Sequence, residues 1–451
     1  MIWLEAHFAL VLGMAITIFA AVIVLQQRRT PQSTAAWLSF ILLAPYLALP
    51  LFLGLGFRKS GSRFTAVHFR PREEIPAPQT DLDALFRQFG VPASSEGNDF
   101  KLLEDGTECW DEILNLIRSA TRTLDITYYL IANDAIGRAF VEALTERARA
   151  GVRVRLIIDR FGGFWRPGRA LRAYRRAGGL LHDFSPLIQK PDKGHLNLRN
   201  HRKMIVADGA RVLSGGRNIG LEYMGPAPDE ARWVDLSFVV SGPVVRTFLD
   251  VFESDWAATG RTDTPTEVSV SQSGMTCAQL VPSGPDMGDD PMHDGLVSAI
   301  HSARARIWLV TPYFLPTEHL THALATAARR GVDVRILLPD WSNQRIADLA
   351  RGSYLRGLSA LGCKVLRYKP GMIHAKAWVI DDTAAVGTAN FDVRSMLLNF
   401  EMMLFVHDFD TVAKVADWFT RLVPECSTGA HRAGLGRRLV EGVFRLGAPI
   451  L

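Results

Sequence analysis

The chain of 451 residues has only four cysteines, at 109, 277, 363 and 426, and no CxxC pair. That excludes a disulfide scaffold, and free buried thiols in a reducing compartment are the expectation. No group of His, Cys, Asp and Glu has the spacing of metal ligands, so neither a metal nor a cofactor is expected. Neither sign of charge dominates: 51 Lys and Arg stand against 46 Asp and Glu, a net charge of +5. This small excess suits an anionic membrane surface or an anionic substrate and does not select nucleic acid. Two stretches, 8–25 and 35–57, lack charge altogether. The residues before the first include Glu5 and no Lys or Arg, which argues against a cleaved signal peptide. Two uncharged runs of spanning length separated by a short polar loop predict a transmembrane hairpin, with helices at about 8–26 and 35–57. Arg58, Lys59, Arg63, Arg70 and Arg72 follow the second run, against Arg28 and Arg29 in the loop, so the positive-inside rule places both ends in the cytoplasm.

What the chain does have is one stretch carried twice. The first copy is His201, Lys203, Asp208, Gly215, Gly216 and Asn218; the second is His374, Lys376, Asp381, Gly387, Thr388 and Asn390. Each copy begins in a half-apolar run that reads as a strand. Side chains alternate in a strand, so His201 and Lys203 share one face, as do His374 and Lys376. Each Asp comes seven residues after its His, at the next turn, and reads as a turn residue in spite of its place in the motif. A second apolar run then returns to a Gly-rich corner that presents the Asn. A His, a Lys and an Asn from each copy would form one site if the copies face each other. That set suits a phosphodiester: Lys203, Lys376, Asn218 and Asn390 can hold the non-bridging oxygens. One imidazole can attack phosphorus while the other protonates the leaving oxygen.

The duplicated His-Lys-Asp motif resembles the phospholipase D superfamily, and nearly the whole chain is similar to the bacterial cardiolipin synthases. The residues that carry this are Arg28-Arg29-Thr30-Pro31 between the hydrophobic runs, Asn200-His201-Arg202-Lys203, Gly216-Arg217-Asn218-Ile219-Gly220, Thr311-Pro312-Tyr313-Phe314 and Asn399-Phe400-Glu401. The resemblance implies an α/β fold, with two phospholipase D-like domains related by a pseudo-twofold and the two motif strands meeting at their interface. It implies a ping-pong reaction through a phosphohistidine. His201 would be the nucleophile and His374 the acid and then the base, with the reverse assignment left open by the symmetry of the copies. It also implies phosphatidylglycerol and other anionic phospholipids as partners, at the inner membrane. A phosphatidyltransferase making cardiolipin and glycerol is the reading. A phospholipase D-type hydrolase releasing phosphatidic acid differs only in which hydroxyl enters the second step. A nuclease would share the motif, but the anchor and the modest charge argue against nucleic acid.

Each histidine needs a partner on its other ring nitrogen to fix its tautomer. Asp235 and Glu401 open equivalent strands after the two copies, so Asp235 is expected on His201 and Glu401 on His374, with Glu222 a rival to Asp235. The copies differ at one position, Gly216 against Thr388, so a hydroxyl contact to phosphate is expected from Thr388 alone. They also differ by one residue in the length of the hairpin, which a turn can absorb.

The rest of the chain matches in two halves, 98–258 and 277–430, with alternating strands and helices that predict a mainly parallel or mixed sheet. Residues 58–97 read as a connector, 259–276 as a linker, and 284–294, with four Asp, as a solvated segment. Residues 160–169 mix Arg with Phe and Trp, either a solvated loop or a lip touching lipid headgroups. In 431–451, Leu435, Leu439, Val443 and Leu446 share a helical face flanked by Arg437, Arg438 and Arg445. Such a basic amphipathic helix either lies on anionic lipid or packs on the protein body.

Overall fold

The computed structural model describes residues 2–26, 31–55, 64–71, 76–184, 198–261, 263–269 and 271–446. Helix α1 (Ile2–Gln26) is a single helix of 25 residues. The second apolar run is two helices, α2 (Pro31–Leu43) and α3 (Pro45–Leu55). The break falls at Ala44 because Pro45 has no N–H to donate and its ring crowds the preceding turn. Ala20, Val24, Ile41, Ala48 and Phe52 bury one another between the three helices. Around this small core Phe8, Leu10, Met14, Ile18, Phe19, Leu42, Leu43 and Leu47 stand exposed. Among the described residues no helix is long and apolar enough to cross a membrane. The basic residues that set the expected topology, Arg28, Arg29, Arg58, Lys59, Arg63 and Arg72, lie outside the described residues, and Arg70 alone is inside them.

Among the described residues fifteen strands form one continuous mixed sheet, and its order shows the repeat. From the middle outwards, the first half runs Ser95–Leu103, Ser237–Ser241, Arg211–Gly215, Met204–Ala207, Thr123–Tyr128, Arg153–Asp159, Leu180–Phe184. The second half runs Thr276–Ser283, Glu401–Val406, Thr383–Gly387, Ala377–Ile380, Arg306–Val310, Asp333–Pro339, Lys364–Tyr368, with Cys426–Thr428 added at the far edge. The innermost strands pair antiparallel at Ser95 with Ala278 and Asn98 with Thr276, which joins the halves edge to edge. In each half the outer three repeat strands are parallel and linked by helices, as βαβ units require. The motif strand and its hairpin partner are antiparallel in both. The strands are apolar on both faces because helices cover both sides.

The first strand of the sheet begins at Ser95. The connector is no free tether: Val67 donates its N–H to the carbonyl of Asp286 at 3.0 Å, and Phe64 packs edge-on against Phe400. The linker is strapped to the body, with Thr266 buried and its hydroxyl on Asp125 at 2.6 Å. In 284–294, expected to be solvated, Asp286 is buried against Arg202.

Candidate active site

Two short parallel bridges bring the motifs together. Asn200 pairs with Phe400, and Val234 pairs with Ile373. His201 donates its backbone N–H to the carbonyl of Phe400 at 2.9 Å, and His374 donates to that of Val234 at 2.7 Å. The chain entering each motif is therefore sewn to the other half, at the residue just before an acid. The strand that follows Asp235 accordingly starts only at Ser237, because Val234 is used across the interface.

The pairing of acids is consequently the reverse of the expectation. His201 Nδ1 lies 2.9 and 3.0 Å from the two carboxylate oxygens of Glu401. His374 Nδ1 lies 2.8 Å from Asp235 Oδ2. Asp235 and Glu401 do orient the histidines, each that of the opposite half, and Glu222 is exposed and meets neither. Because a carboxylate only accepts, each imidazole carries its proton on Nδ1 and turns Nε2 into the site. His201 Nε2 makes no hydrogen bond among the described residues.

Lys203 and Lys376 are fully buried beside them. Lys203 Nζ donates to the carbonyl of His201 at 2.7 Å, and Lys376 Nζ donates to that of His374. Burial pushes Lys203 down to about 7 and Lys376 down to about 8, against the pull of Glu401 and Asp235. Lys376 Nζ also stands 2.7 Å from His374 Nδ1. That nitrogen already donates to Asp235, so the contact is a crowding of two donors rather than a bond. Burial and then the Lys376 charge hold His374 down to about 3. His201 is lowered by burial too, with Glu401 opposing and Lys203 adding to the fall. Asp235 is held down to about 2: burial raises it, but Lys376 and His374 outweigh that. Each lysine acts on the histidine of the other motif, so the four groups form one electrostatic unit.

Asn218 and Asn390 are buried, and the Oδ1 of each lacks a hydrogen-bond partner. Asn218 Nδ2 reaches the Tyr223 hydroxyl at 3.0 Å. Thr388 departs from expectation. Its hydroxyl donates to Glu401 Oε2 at 2.6 Å and accepts the Met402 N–H at 3.0 Å. It is fully buried and serves the acid rather than a phosphate. In the other copy a side chain at Gly216 would fall 2.2 Å from Asp235 Oδ1, so the shorter acid occupies the space that a hydroxyl residue would need.

Asp208 and Asp381 are not at the reacting centre. Both adopt left-handed backbone, φ 53° and 47°, at the hairpin turns. The Asp208 carboxylate accepts the N–H groups of Thr121, Arg122 and Thr123, and that of Asp381 accepts those of Arg304, Ala305 and Arg306. They pin the motif strand to the start of its neighbour at the end away from the histidines.

Other residues of the site carried no separable signal in the sequence. Tyr129 meets His201 edge-on at 5.1 Å, and Tyr223 and Trp233 flank His374 at 5.3 and 5.7 Å. Arg202, inside the first motif, is buried and reaches Asp255 at 2.7 Å and Asp286 at 2.8 Å. The second copy has Ala375 there, so only the first motif carries this bridge into the opposite half.

A duplicated α/β half with paired His-Lys motifs at the seam defines a phospholipase D-type enzyme. The family described as cardiolipin synthase, PLD-like domain, matches residues 113–256 and 296–423. Cardiolipin synthase A of Pseudomonas syringae pv. syringae is 33% identical over 96% of this chain and 95% of its own length. The cardiolipin synthase of Geobacillus kaustophilus is 32% identical over 96% of this chain and 92% of its own. Among solved structures, phosphatidylserine synthase of Haemophilus influenzae shares the fold at a TM-score of 0.63, with 15% identity over 82% of this chain and 100% of that one. The chain belongs to the cardiolipin synthase family.

Proposed function

We propose that the protein is a membrane-anchored phosphatidyltransferase that makes cardiolipin and glycerol from two molecules of phosphatidylglycerol. The observation that carries this is the pair of imidazoles, each held through Nδ1 by an acid of the other half and each presenting Nε2. In the first step His201 Nε2 attacks phosphorus and forms the P–N bond, while His374, protonated on both nitrogens, gives its Nε2 proton to the departing glycerol oxygen. In the second step His374 takes the proton of the incoming primary hydroxyl, whose oxygen displaces His201.

The Lys376 contact explains how His374 becomes an acid. A phosphodiester draws the Lys376 ammonium off the ring and adds negative charge beside it. Both changes raise the histidine towards protonation. Lys203, Lys376 and the amides of Asn218 and Asn390 then hold the charge that grows on the non-bridging oxygens. Glu401, braced by Thr388, and Asp235 stabilise the imidazolium forms. Asp208 and Asp381 keep the motif strands in register.

The anchor is read from the two uncharged runs, 8–25 and 35–57, in the sequence. The exposed apolar residues of α1 to α3 support it. The domain limits follow as 1–57, 58–97, 98–258, 259–276, 277–430 and 431–451, with strand ends as described above, and the catalytic halves on the cytoplasmic side.

The test is product analysis with purified protein and phosphatidylglycerol in mixed micelles, beside His201→Ala and His374→Ala. Cardiolipin and glycerol from the unaltered protein, absent from both variants, is the expected result. Phosphatidic acid without cardiolipin would replace the reading with hydrolysis.

A further inference from the structure

The C-terminal helix (Leu435–Leu446) sits on the body with its apolar row outwards. Leu435, Leu439 and Val443 are 77%, 65% and 66% exposed, whereas Glu441 is fully buried. A helix covering a core would be the other way round. What seats it is an ion cluster. The Glu441 carboxylate takes Arg356 from the helix Arg345–Ala360, and Arg437 at 2.9 Å. It fits where Gly352 leaves room, since a Cβ there would lie 2.6 Å from Glu441 Oε1. Phe444 packs beside Tyr354, Ala347 and Ala350 on the same side. The outward apolar row is thus a built feature, not a helix awaiting its core.

Between the two helices lies an open surface hollow lined by Ser353, Arg356, Gly357, Arg438, Gly442 and Arg445. Arg356 is held by Glu441, and Arg438 turns its Nε to the carbonyl of Ala433. Arg445 makes no ion pair among the described residues. The Ser353 hydroxyl is buried and has no hydrogen-bond partner. Arg438 and Arg445 thus bring to the hollow two guanidinium groups without a carboxylate partner among the described residues, beside an unsatisfied hydroxyl, a donor set that suits a phosphate. The hollow opens beside the apolar row, so the phosphate that fits is one attached to acyl chains.

We propose that this hollow holds the headgroup phosphate of an anionic phospholipid, with Leu435, Leu439 and Val443 lying among its acyl chains. It is a second lipid contact, apart from the histidine site, that seats the second half on the bilayer. Through Tyr313, which packs in the same cluster as Phe444 and faces His374 at 6.4 Å, this surface adjoins the second-half side of the catalytic site.

The test uses the full chain with His201→Ala, so that no turnover alters the lipid, and Cys426→Ser, so that a fluorophore enters only at Leu439→Cys. The protein is placed in phosphatidylcholine bilayers with a rising fraction of phosphatidylserine. The expected result is a blue shift that grows with phosphatidylserine. Arg438→Ala with Arg445→Ala should weaken that response roughly 30-fold, with circular dichroism unchanged. No shift in any bilayer would overturn the proposal. So would an equal shift in pure phosphatidylcholine untouched by the arginine changes, or full reproduction of the shift by inorganic phosphate without lipid. None of these outcomes depends on the reaction assigned to the histidines.

Discussion

Glu401→Gln tests the crosswise pairing directly. The carboxylate is fully buried and lies 2.9 Å from His201 Nδ1, whose ring is 12% exposed. With the charge centres about 4 Å apart and an effective dielectric near 20, the carboxylate favours a charged His201 by about 4 kcal/mol. A neutral amide keeps the shape and can still accept the Nδ1 proton, but that charge stabilisation is gone. Turnover should fall by about 10²- to 10³-fold if His201 carries positive charge when its phosphorus bond is made and broken. The assay that decides the pairing is ¹⁵N NMR of the histidines, because it reads the tautomer of each ring. In Glu401→Gln the preference for the Nδ1–H form should weaken at His201 and persist at His374. In Asp235→Asn the pattern should invert. If Glu401→Gln disturbed His374 and left His201 alone, or cost less than tenfold in turnover, the reasoning from the interface would fail.

Thr388→Val removes the hydroxyl that braces Glu401 and should cost about 1–3 kcal/mol in stability, lowering kcat with KM little changed; a rise in KM alone would restore a phosphate contact. Arg202→Met leaves Asp255 and Asp286 as buried unpaired acids and should destabilise the protein by about 3–5 kcal/mol in denaturant unfolding, a loss under 1 kcal/mol refuting the bridge. The lysines give a pH dependence with a definite sign. Lys203 is pushed to about 7 when folded and returns to about 10.4 when unfolded, so the unfolded chain binds more protons between those values. The protein should therefore gain stability as pH rises from about 7 towards 10, and lose part of that slope in Lys203→Met; equal slopes of Tm against pH in both proteins would contradict the burial. A Gly216→Ser change places its side chain on Asp235 and should abolish turnover while Asp208 and Asp381 still hold the strands; normal activity would show that the corner can yield.

Local pattern was enough for much of this. The spacing from His201 to Lys203 and from His374 to Lys376 put each pair on one strand face; the pairs lie instead in the segments just ahead of the strands Met204–Ala207 and Ala377–Ile380. Asp208 and Asp381 read as turn residues from sequence, and their left-handed backbone and amide contacts agree. The element order of one half predicted that of the other, because a duplicated sequence has duplicated periodicity. Where the reading slipped, a residue answered to something distant. Asp235 and Glu401, expected each on the histidine of its own half, pair across the interface, and the apolar run 35–57 splits at a proline.

By itself, then, the sequence determined the repeat, the two sets of His, Lys and Asn, and the class of chemistry that they can perform. Only the tertiary structure decided which acid serves which histidine. Glu401 and His201 are 200 residues apart, and Asp235 and His374 are 139 apart. Equivalent positions within each half suggested pairing at home. The bridges at Asn200 with Phe400 and Val234 with Ile373 place each histidine against the other half instead. The same packing turned Thr388 from phosphate to acid and gave Arg202 two carboxylates. The physical reason is that periodicity fixes the face on which a side chain points, whereas its partner is fixed by what a pseudo-twofold brings to that face.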